Sequence, residues 1–319
     1  MKVAISGANG YIGRALSKFL LDAGHHVVAL VRQRTYELPL EITQLVLGDL
    51  SDLTLVETEK IFQQIAHFDA LVHTAAMAHS DNQQSHYLKL IYKVNVGATE
   101  VLSKAAEKVD IHRFVFLSSI GVNGKNNIKP FSETDQPNPH NFYAQCKYDS
   151  EQQLLTLANN GAMEVVIVRP PMVYSRNAPG NFSKLTKLVK LGFPLPFKRL
   201  NNQRSVIALE NLLSFLTLCA DKKYSPEAKN QVFLVADRQP VSTKEMAEKI
   251  AGSLGRKTHM ADISPRVLFW LFKLVGKRVI YTRLFDSLLI NTYKAQKLLR
   301  WKPHVDMEKQ LSYKNKRFD

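Results

Sequence analysis

Cysteine is scarce in this 319-residue chain: only Cys146 and Cys219 occur, without metal-ligand spacing and without the pairing of a secreted disulfide framework. Both are expected to be free thiols in a reducing compartment. The ten histidines form no cluster with metal-ligand spacing, so no metal is expected. No apolar run reaches the length of a membrane span, and Met1-Lys2-Val3-Ala4-Ile5-Ser6 runs straight into a strand pattern with no room for a signal sequence. The default address is the cytoplasm. Acidic residues are also few, 28 against 43 Lys and Arg, for a net charge of +15. Most of the excess lies beyond Lys244, which argues against a nucleic-acid partner spread over the chain and suits anionic nucleotides as well. Repeats and low-complexity segments are absent.

What is present begins with a short apolar run, Val3-Ala4-Ile5, feeding Gly7-Ala8-Asn9-Gly10-Tyr11-Ile12-Gly13 and then a helical stripe of Ile12, Leu16, Phe19 and Leu20. Further strand-like runs follow at Val27–Val31, Leu45–Leu47, Ala70–Val72, Phe114–Leu117 and Val165–Val168, with helical stretches between them. This alternation predicts an α/β fold, a doubly wound Rossmann-type parallel sheet covered on both faces. A helix from Tyr143 is expected to stop near Asn159-Asn160-Gly161, a capped helix over Ser242 to Leu254 with Glu245 in its first turn, and a short helix over Lys294 to Leu299. After Arg169-Pro170-Pro171 the alternation weakens. Residues 1–170 are therefore expected to bind the dinucleotide and 171–319 mainly the substrate, with some segments returning to the sheet.

The glycine spacing supplies a tight turn, a close backbone approach for pyrophosphate and helix-against-strand packing, with the helix N-terminus facing the anion. Asn9, Tyr11 and Ile12 belong to the same loop. Where an acid at the end of the second strand would select unphosphorylated NAD, the chain reads Leu30-Val31-Arg32-Gln33-Arg34. Arg32 would suit a 2′-phosphate, so NADP is expected, with NAD the alternative. Asp49, at the end of the third strand, could take a hydrogen bond from the adenine amine or cap the following loop. Tyr143 and Lys147 share a helix face at i and i+4, and the ammonium is expected to lower the phenol's pKa into a useful range. Ser119, beside Ser118 at the end of an apolar strand, could hold the substrate oxygen whose proton Tyr143 moves. The chemistry implied is interconversion of a carbinol and a carbonyl. His73 reads as a core residue and Cys146 as a packing residue.

Taken in order, the glycine loop, Gly48-Asp49-Leu50, His73-Thr74-Ala75-Ala76, Asn95-Val96-x-x-Thr99, Ser119, Tyr143-x-x-x-Lys147 and Arg169-Pro170-Pro171-Met172-Val173-Tyr174 resemble the extended short-chain dehydrogenase/reductase family. The resemblance implies that Leu50, Thr74, Ala75 and Ala76 line the cofactor and that Asn95 positions Lys147 through a water. It also implies that Pro170 to Val173 face the nicotinamide and that Lys147 holds its ribose. In the second half, Pro179-Gly180-Asn181-Phe182 and Asn201-Asn202-x-Arg204-Ser205 resemble the bacterial nucleotide-sugar 4-epimerase and 4-ketoreductase subgroup. That implies a UDP-sugar substrate whose diphosphate meets Asn181 and Arg204, with Arg283 as a weaker second arginine, and a homodimer through the helices around Ile91–Val109 and Tyr143–Leu157.

Ser119 is followed by Ile120-Gly121 rather than the Asp-Glu that dehydratases of the family carry, which sets elimination of water aside. Arg32 tilts the choice toward reduction of a UDP-4-keto-6-deoxy-N-acetylhexosamine, with a UDP-sugar 4-epimerase as the alternative and a non-catalytic dinucleotide sensor as a distant third. The basic, apolar stretch Pro265–Arg278 is read as a substrate-side helix with its apolar face packed, in preference to a membrane-surface helix.

Overall fold

The computed structural model describes residues 1–64, 67–77, 84–274, 276 and 278–312, excluding the side chains of 278–280 and 283. Among the described residues nine strands run β1 (Lys2–Ser6), β2 (His26–Val31), β3 (Thr43–Val46), β4 (Ala70–His73), β5 (Arg113–Leu117), β6 (Glu164–Arg169), β7 (Met172–Tyr174), β8 (Val206–Ala208) and β9 (Gln231–Leu234). The helices are α1 (Tyr11–Asp22), α2 (Leu55–Gln63), α3 (Ser85–Tyr92), α4 (Ala98–Lys108), α5 (Phe142–Asn160), α6 (Asn181–Lys190), α7 (Leu209–Ala220), α8 (Thr243–Ser253), α9 (Pro265–Leu274), α10 (Arg278–Phe285), α11 (Tyr293–Leu299) and α12 (Met307–Leu311). A π-helical turn, Lys93–Gly97, separates α3 from α4.

Seven strands form one sheet in the order β3-β2-β1-β4-β5-β6-β9, all pairs parallel. Alternation along each strand divides the core in two. Val3, Ile5, Val72, Val115 and Val166 face a layer built from Leu16 and Leu20 of α1, Leu212 and Leu216 of α7 and Trp301. Ala4, Leu71, Phe114, Phe116 and Ile167 face Phe62 of α2, Leu102 of α4 and Leu154 of α5. Strands buried on both faces read as unbroken apolar runs, which is why they were visible in the sequence. A third core gathers Tyr174, Phe182, Phe197, Met246, Leu268 and Phe285 under the second half of the chain. The α8 capping box forms as its sequence suggests, Ser242 Oγ accepting from Glu245 N at 3.0 Å and Ser242 N donating to Glu245 Oε2 at 2.7 Å.

The three short strands outside the sequence expectations have local reasons. β7 and β8 pair only with each other over three residues, and β7 begins directly after two prolines. β9 carries only four residues, Gln231–Leu234, at the sheet's far edge.

Order reverses between β1 and β4, and the crevice outside the carboxyl ends of the strands at such a reversal is where these sheets take ligands. At the opposite end of the sheet a fully buried guanidinium, Arg113, joins β5 to β6. Its Nε and Nη2 donate to Glu164 Oε2 at 2.9 and 2.6 Å, and Nη1 to Cys219 O, Ser225 O and Ser225 Oγ at 3.0, 3.1 and 2.8 Å. Arg113→Met leaves the Glu164 carboxylate with only the exposed Lys222, whose Nζ is 3.4 Å away, and should cost about 3 kcal/mol in urea unfolding, with part of that loss recovered in Arg113→Met/Glu164→Gln.

Candidate active site

A cleft of about 980 Å³ opens at the topological reversal. Its floor is the glycine loop. Gly7 has φ +75°, and a Cβ on it would lie 2.6 Å from Ala75 N. A Cβ on Gly13 would lie 2.1 Å from Gly7 O and 2.8 Å from Thr74 Oγ1. Absence of these two side chains lets α1 begin hard against β1 and β4 and aims its first amides into the cleft. Thr74 Oγ1 donates to Ser6 O at 2.7 Å, tying the two strand ends together.

Gly7, Asn9, Gly10, Tyr11, Ile12 and Gly13 line the cleft, as do Arg32, Asp49 and Leu50 at one end and Thr74, Ala75 and Ala76 in the middle. Ser118, Ser119, Tyr143, Lys147, Pro170 and Val173 close the other end. The structure thus brings together on one surface residues as far apart in the chain as Gly7 and Pro179. Met77, Leu90, Val94 and Pro171 also line it, although no sequence signal singled out the first three. Asn95, Asn181 and Arg204 do not appear on its wall. Asn95 is buried and spends its amide on the Met77 backbone, accepting from Met77 N at 2.7 Å and donating to Met77 O at 3.1 Å. Its own carbonyl accepts from Thr99 Oγ1 and Ser150 Oγ. Arg204 Nη1 donates to Asp286 O at 2.7 Å, and Asn181 is the exposed first residue of α6. The side chain of Arg283 lies outside the described residues.

At the nucleotide end, Asp49 caps the turn Leu50–Asp52 through Ser51 N at 2.9 Å, and Arg32 Nη1 stands 3.7 Å from Asp49 Oδ2. Arg32 is 71 % exposed, so this pair is worth little and leaves the guanidinium available to another anion.

The other end is set by α5, which Asn141 caps through Ala144 N at 2.8 Å. Positions 143, 147 and 151 follow one another at i+4 along this helix. Lys147 is buried, donates to Leu117 O at 2.8 Å and lies 4.4 Å above the Phe116 ring and 5.9 Å from that of Tyr143. Burial lowers its pKa to about 7, partly opposed by Glu151. Tyr143 is pushed up to about 12, chiefly by burial. This corrects the expectation that Lys147 lowers the phenol: the same desolvation acts on both groups, and it discourages the ammonium that was to do the lowering. Ser119 caps the turn Ile120–Val122, its Oγ accepting from Gly121 N at 3.1 Å.

Beneath these groups lies a buried ionic network that the sequence reading did not identify. Glu151 accepts from Ser118 Oγ and from both Nε (2.9 Å) and Nη2 of Arg169, whose Nη1 donates to Asn123 Oδ1 at 2.9 Å. An acid on the inward face of α5, one turn below Lys147, was the available signal. His73 is also buried: Thr99 Oγ1 gives its proton to Asn95 O, so it accepts from His73 Nε2, leaving Nδ1 to accept from Ser6 Oγ. Its pKa falls to about 3, which fixes it as a neutral core histidine. Cys146 and Cys219 are free and buried. Among the described residues no group of His, Cys, Asp and Glu has the arrangement of a metal site, and no helix is long and apolar enough to cross a membrane.

Lys147 should titrate near pH 7 when followed by the NMR shift of its labelled Cε. In Glu151→Gln, loss of the nearby negative charge should move that titration to lower pH. An unchanged midpoint would show that Glu151 does not govern the ammonium.

Comparison with known proteins agrees with this construction. Residues 3–233 match the model of the NAD dependent epimerase/dehydratase family. The chain is 35 % identical over 310 residues to a UDP-glucose 4-epimerase of Vibrio cholerae, covering 94 % of this chain and 90 % of that one. It is 27 % identical over 257 residues to the N-acetyl-alpha-D-glucosaminyl-diphospho-ditrans,octacis-undecaprenol 4-epimerase of Escherichia coli O157:H7, covering 80 % and 73 % of the two chains. Among solved structures, UDP-glucose 4-epimerase from Thermotoga maritima with UDP-glucose superposes with a TM-score of 0.76 at 19 % identity, over 98 % of this chain and 96 % of that one. UDP-glucuronic acid 4-epimerase from Bacillus cereus in complex with NAD gives 0.76 at 20 % identity over the same shares. With its glycine loop, its parallel sheet and the Tyr143–Lys147 helix at one cleft, the chain belongs to the NAD-dependent epimerase/dehydratase family.

Proposed function

We propose that this protein is a UDP-sugar oxidoreductase acting at C4 of a UDP-hexose or UDP-N-acetylhexosamine, with 4-epimerisation as its net reaction. The observation that carries the reading is the 35 % identity to the Vibrio cholerae UDP-glucose 4-epimerase along nearly the whole of both chains. The cleft fits a dinucleotide: α1 opens onto a floor that side chains at Gly7 and Gly13 would obstruct, and Arg32 and Ser119 stand at its two ends. Gly7 to Gly13 would hold the pyrophosphate, Arg32 and Asp49 the adenosine end, and Lys147 the nicotinamide ribose. When bound, the nicotinamide accepts or returns a hydride at the sugar carbon.

The chain's own groups handle the proton. Tyr143 Oη takes the C4 hydroxyl proton as the carbonyl forms and gives it back when the carbinol is restored. A phenol pushed up to about 12 suits donation, and positive charge on Lys147 favours the phenolate needed for the opposite step. Ser119 Oγ holds the same oxygen. Asn181, next to cleft-lining Pro179 through Gly180, is suited to the diphosphate. Arg204 would have to exchange its Asp286 carbonyl partner to reach it.

One observation favours a second reading, reduction of a UDP-4-keto-6-deoxy-N-acetylhexosamine. Arg32, exposed at the end of β2 where an acid would select NAD, suits NADPH, and net reduction consumes a fresh cofactor each turn. Relatives named as 4-epimerases put epimerisation first, the reverse of the order that Arg32 alone suggested.

Purified protein carrying retained NAD and interconverting UDP-glucose with UDP-galactose, or their N-acetylamino counterparts, without net change in absorbance at the NADH band supports the epimerase. Stoichiometric NADPH loss on mixing with the 4-keto sugar nucleotide would replace it with the reductase. In either case Tyr143→Phe should lower kcat by about 10²–10⁴ while cofactor binding, followed by fluorescence, stays within a few-fold. Arg32→Ala should weaken NADPH binding about tenfold or more and leave NADH binding nearly unchanged, whereas equal effects on both would remove the 2′-phosphate assignment.

A further inference from the structure

The helix α9 carries two apolar faces. One is packed: Leu268 is buried, Phe272 lies 6.2 Å from Tyr281 and 6.4 Å from Phe285, and Tyr281 stacks on Phe285 at 4.3 Å. The other carries Val267, Trp270, Leu271 and Leu274 at i, i+3, i+4 and i+7, which are 51, 58, 51 and 81 % exposed. The sequence reading preferred the packed face and set the membrane-surface alternative second. Core packing accounts for Leu268 and Phe272 and leaves the second stripe largely exposed, the Trp270 ring meeting the edge of Phe269 at 6.0 Å.

Charge shows what covers it. Exposed Arg266 and Lys273 flank the stripe, and Lys273 Nζ lies 4.6 Å over the Trp270 ring. No Asp or Glu occurs from 263 to 285, and none from 165 to 209. That second span includes α6, with exposed Lys184, Lys187 and Lys190, and the following loop, with Leu191 and Phe193 at 65 and 68 % exposed. The loop is paired to the segment just ahead of α9, Leu195 N donating to His259 O and Ala261 N to Leu195 O, both at 2.8 Å. Asp262, the acid at that junction, is engaged by Lys198 and Arg199. Exposed Trp and Leu on a short helix among cations, without an acid, complement an anionic interface whose interior is apolar.

We propose that this face docks on the surface of a bilayer containing anionic lipids, with Trp270, Leu271 and Leu274 among the headgroups and Arg266, Lys273 and the α6 lysines against their phosphates. Ten residues of helix are far too short to span a bilayer, so the contact is peripheral. Each cation held at such a surface strengthens binding by about fivefold, so the association weakens with salt.

The chain holds its own probe. Of its two tryptophans Trp301 is buried and Trp270 exposed, so a change in emission on adding vesicles reports Trp270. Full-length protein should co-sediment with phosphatidylcholine vesicles containing about 30 % phosphatidylglycerol, with a blue shift of emission, and bind pure phosphatidylcholine at least about tenfold more weakly. Trp270→Ser/Leu274→Ser changes only exposed positions and should keep the circular dichroism and Tm of the parent while losing about tenfold or more in vesicle binding. Failure to bind the anionic vesicles overturns the proposal, as does equal binding by the double variant. A blue shift that grows with protein concentration without lipid, accompanied by dimerisation that the double variant abolishes, overturns it in favour of contact between two copies.

Discussion

The buried pair of Glu151 and Arg169 is the constraint on which the Tyr143–Lys147 end of the cleft depends. Arg169 ends β6, Glu151 lies midway along α5, and Ser118 directly follows β5, so one carboxylate fixes the depth and rotation of α5 against two strands. Since residues 143, 147 and 151 share a helix face, that fixation carries upward to Lys147 and Tyr143. A buried ion pair contributes little net stability beside an apolar replacement, but it permits only one register because any other strands a charge. Leu117 O, which receives the Lys147 ammonium, belongs to the strand that Ser118 closes, so the ammonium and the network are referred to the same backbone.

The glycine loop performs the equivalent task at the other end by leaving atoms out. Gly7 and Gly13 let backbone of α1, β1 and β4 come closer than any side chain allows, and Thr74 seals the gap with a hydroxyl. One end of the cleft is therefore positioned by absent side chains and the other by buried charge. At the end of the cleft away from Tyr143, Arg32 stays exposed and only weakly paired with Asp49.

Six strands and the helices bearing the motif residues were legible because most of the strands are apolar on both faces, the edge strand β3 being the exception with only Leu45 buried, and each helix has a cap or a stripe. Short strands such as β7 and β8 were not, since three residues carry no period and their pairing is a matter of tertiary placement. Cleft residues at strand ends could be named from their order along the chain. The partners of Asn95 and Arg204 could not, because an amide or guanidinium takes whatever carbonyl the fold brings to it, here Met77 O and Asp286 O. Glu151 was passed over for a different reason: its i+4 spacing from Lys147 was there to read, but on a largely polar helix nothing marks that face as buried. The pKa of Tyr143 failed to follow the sequence argument because spacing reveals proximity of charge and conceals the cost of desolvation.

Lys147 has a consequence for the heat of binding. With its pKa lowered to about 7, both the charged and the neutral amine are populated at neutral pH. A ligand oxygen that takes a hydrogen bond from Nζ favours the charged form and draws a proton from the buffer as it binds. The apparent enthalpy of cofactor binding then varies with the ionisation enthalpy of the buffer, and affinity declines as pH rises through the neutral range. Binding equilibria at this cleft are thereby coupled to the proton as a second ligand, through a residue that never leaves the core.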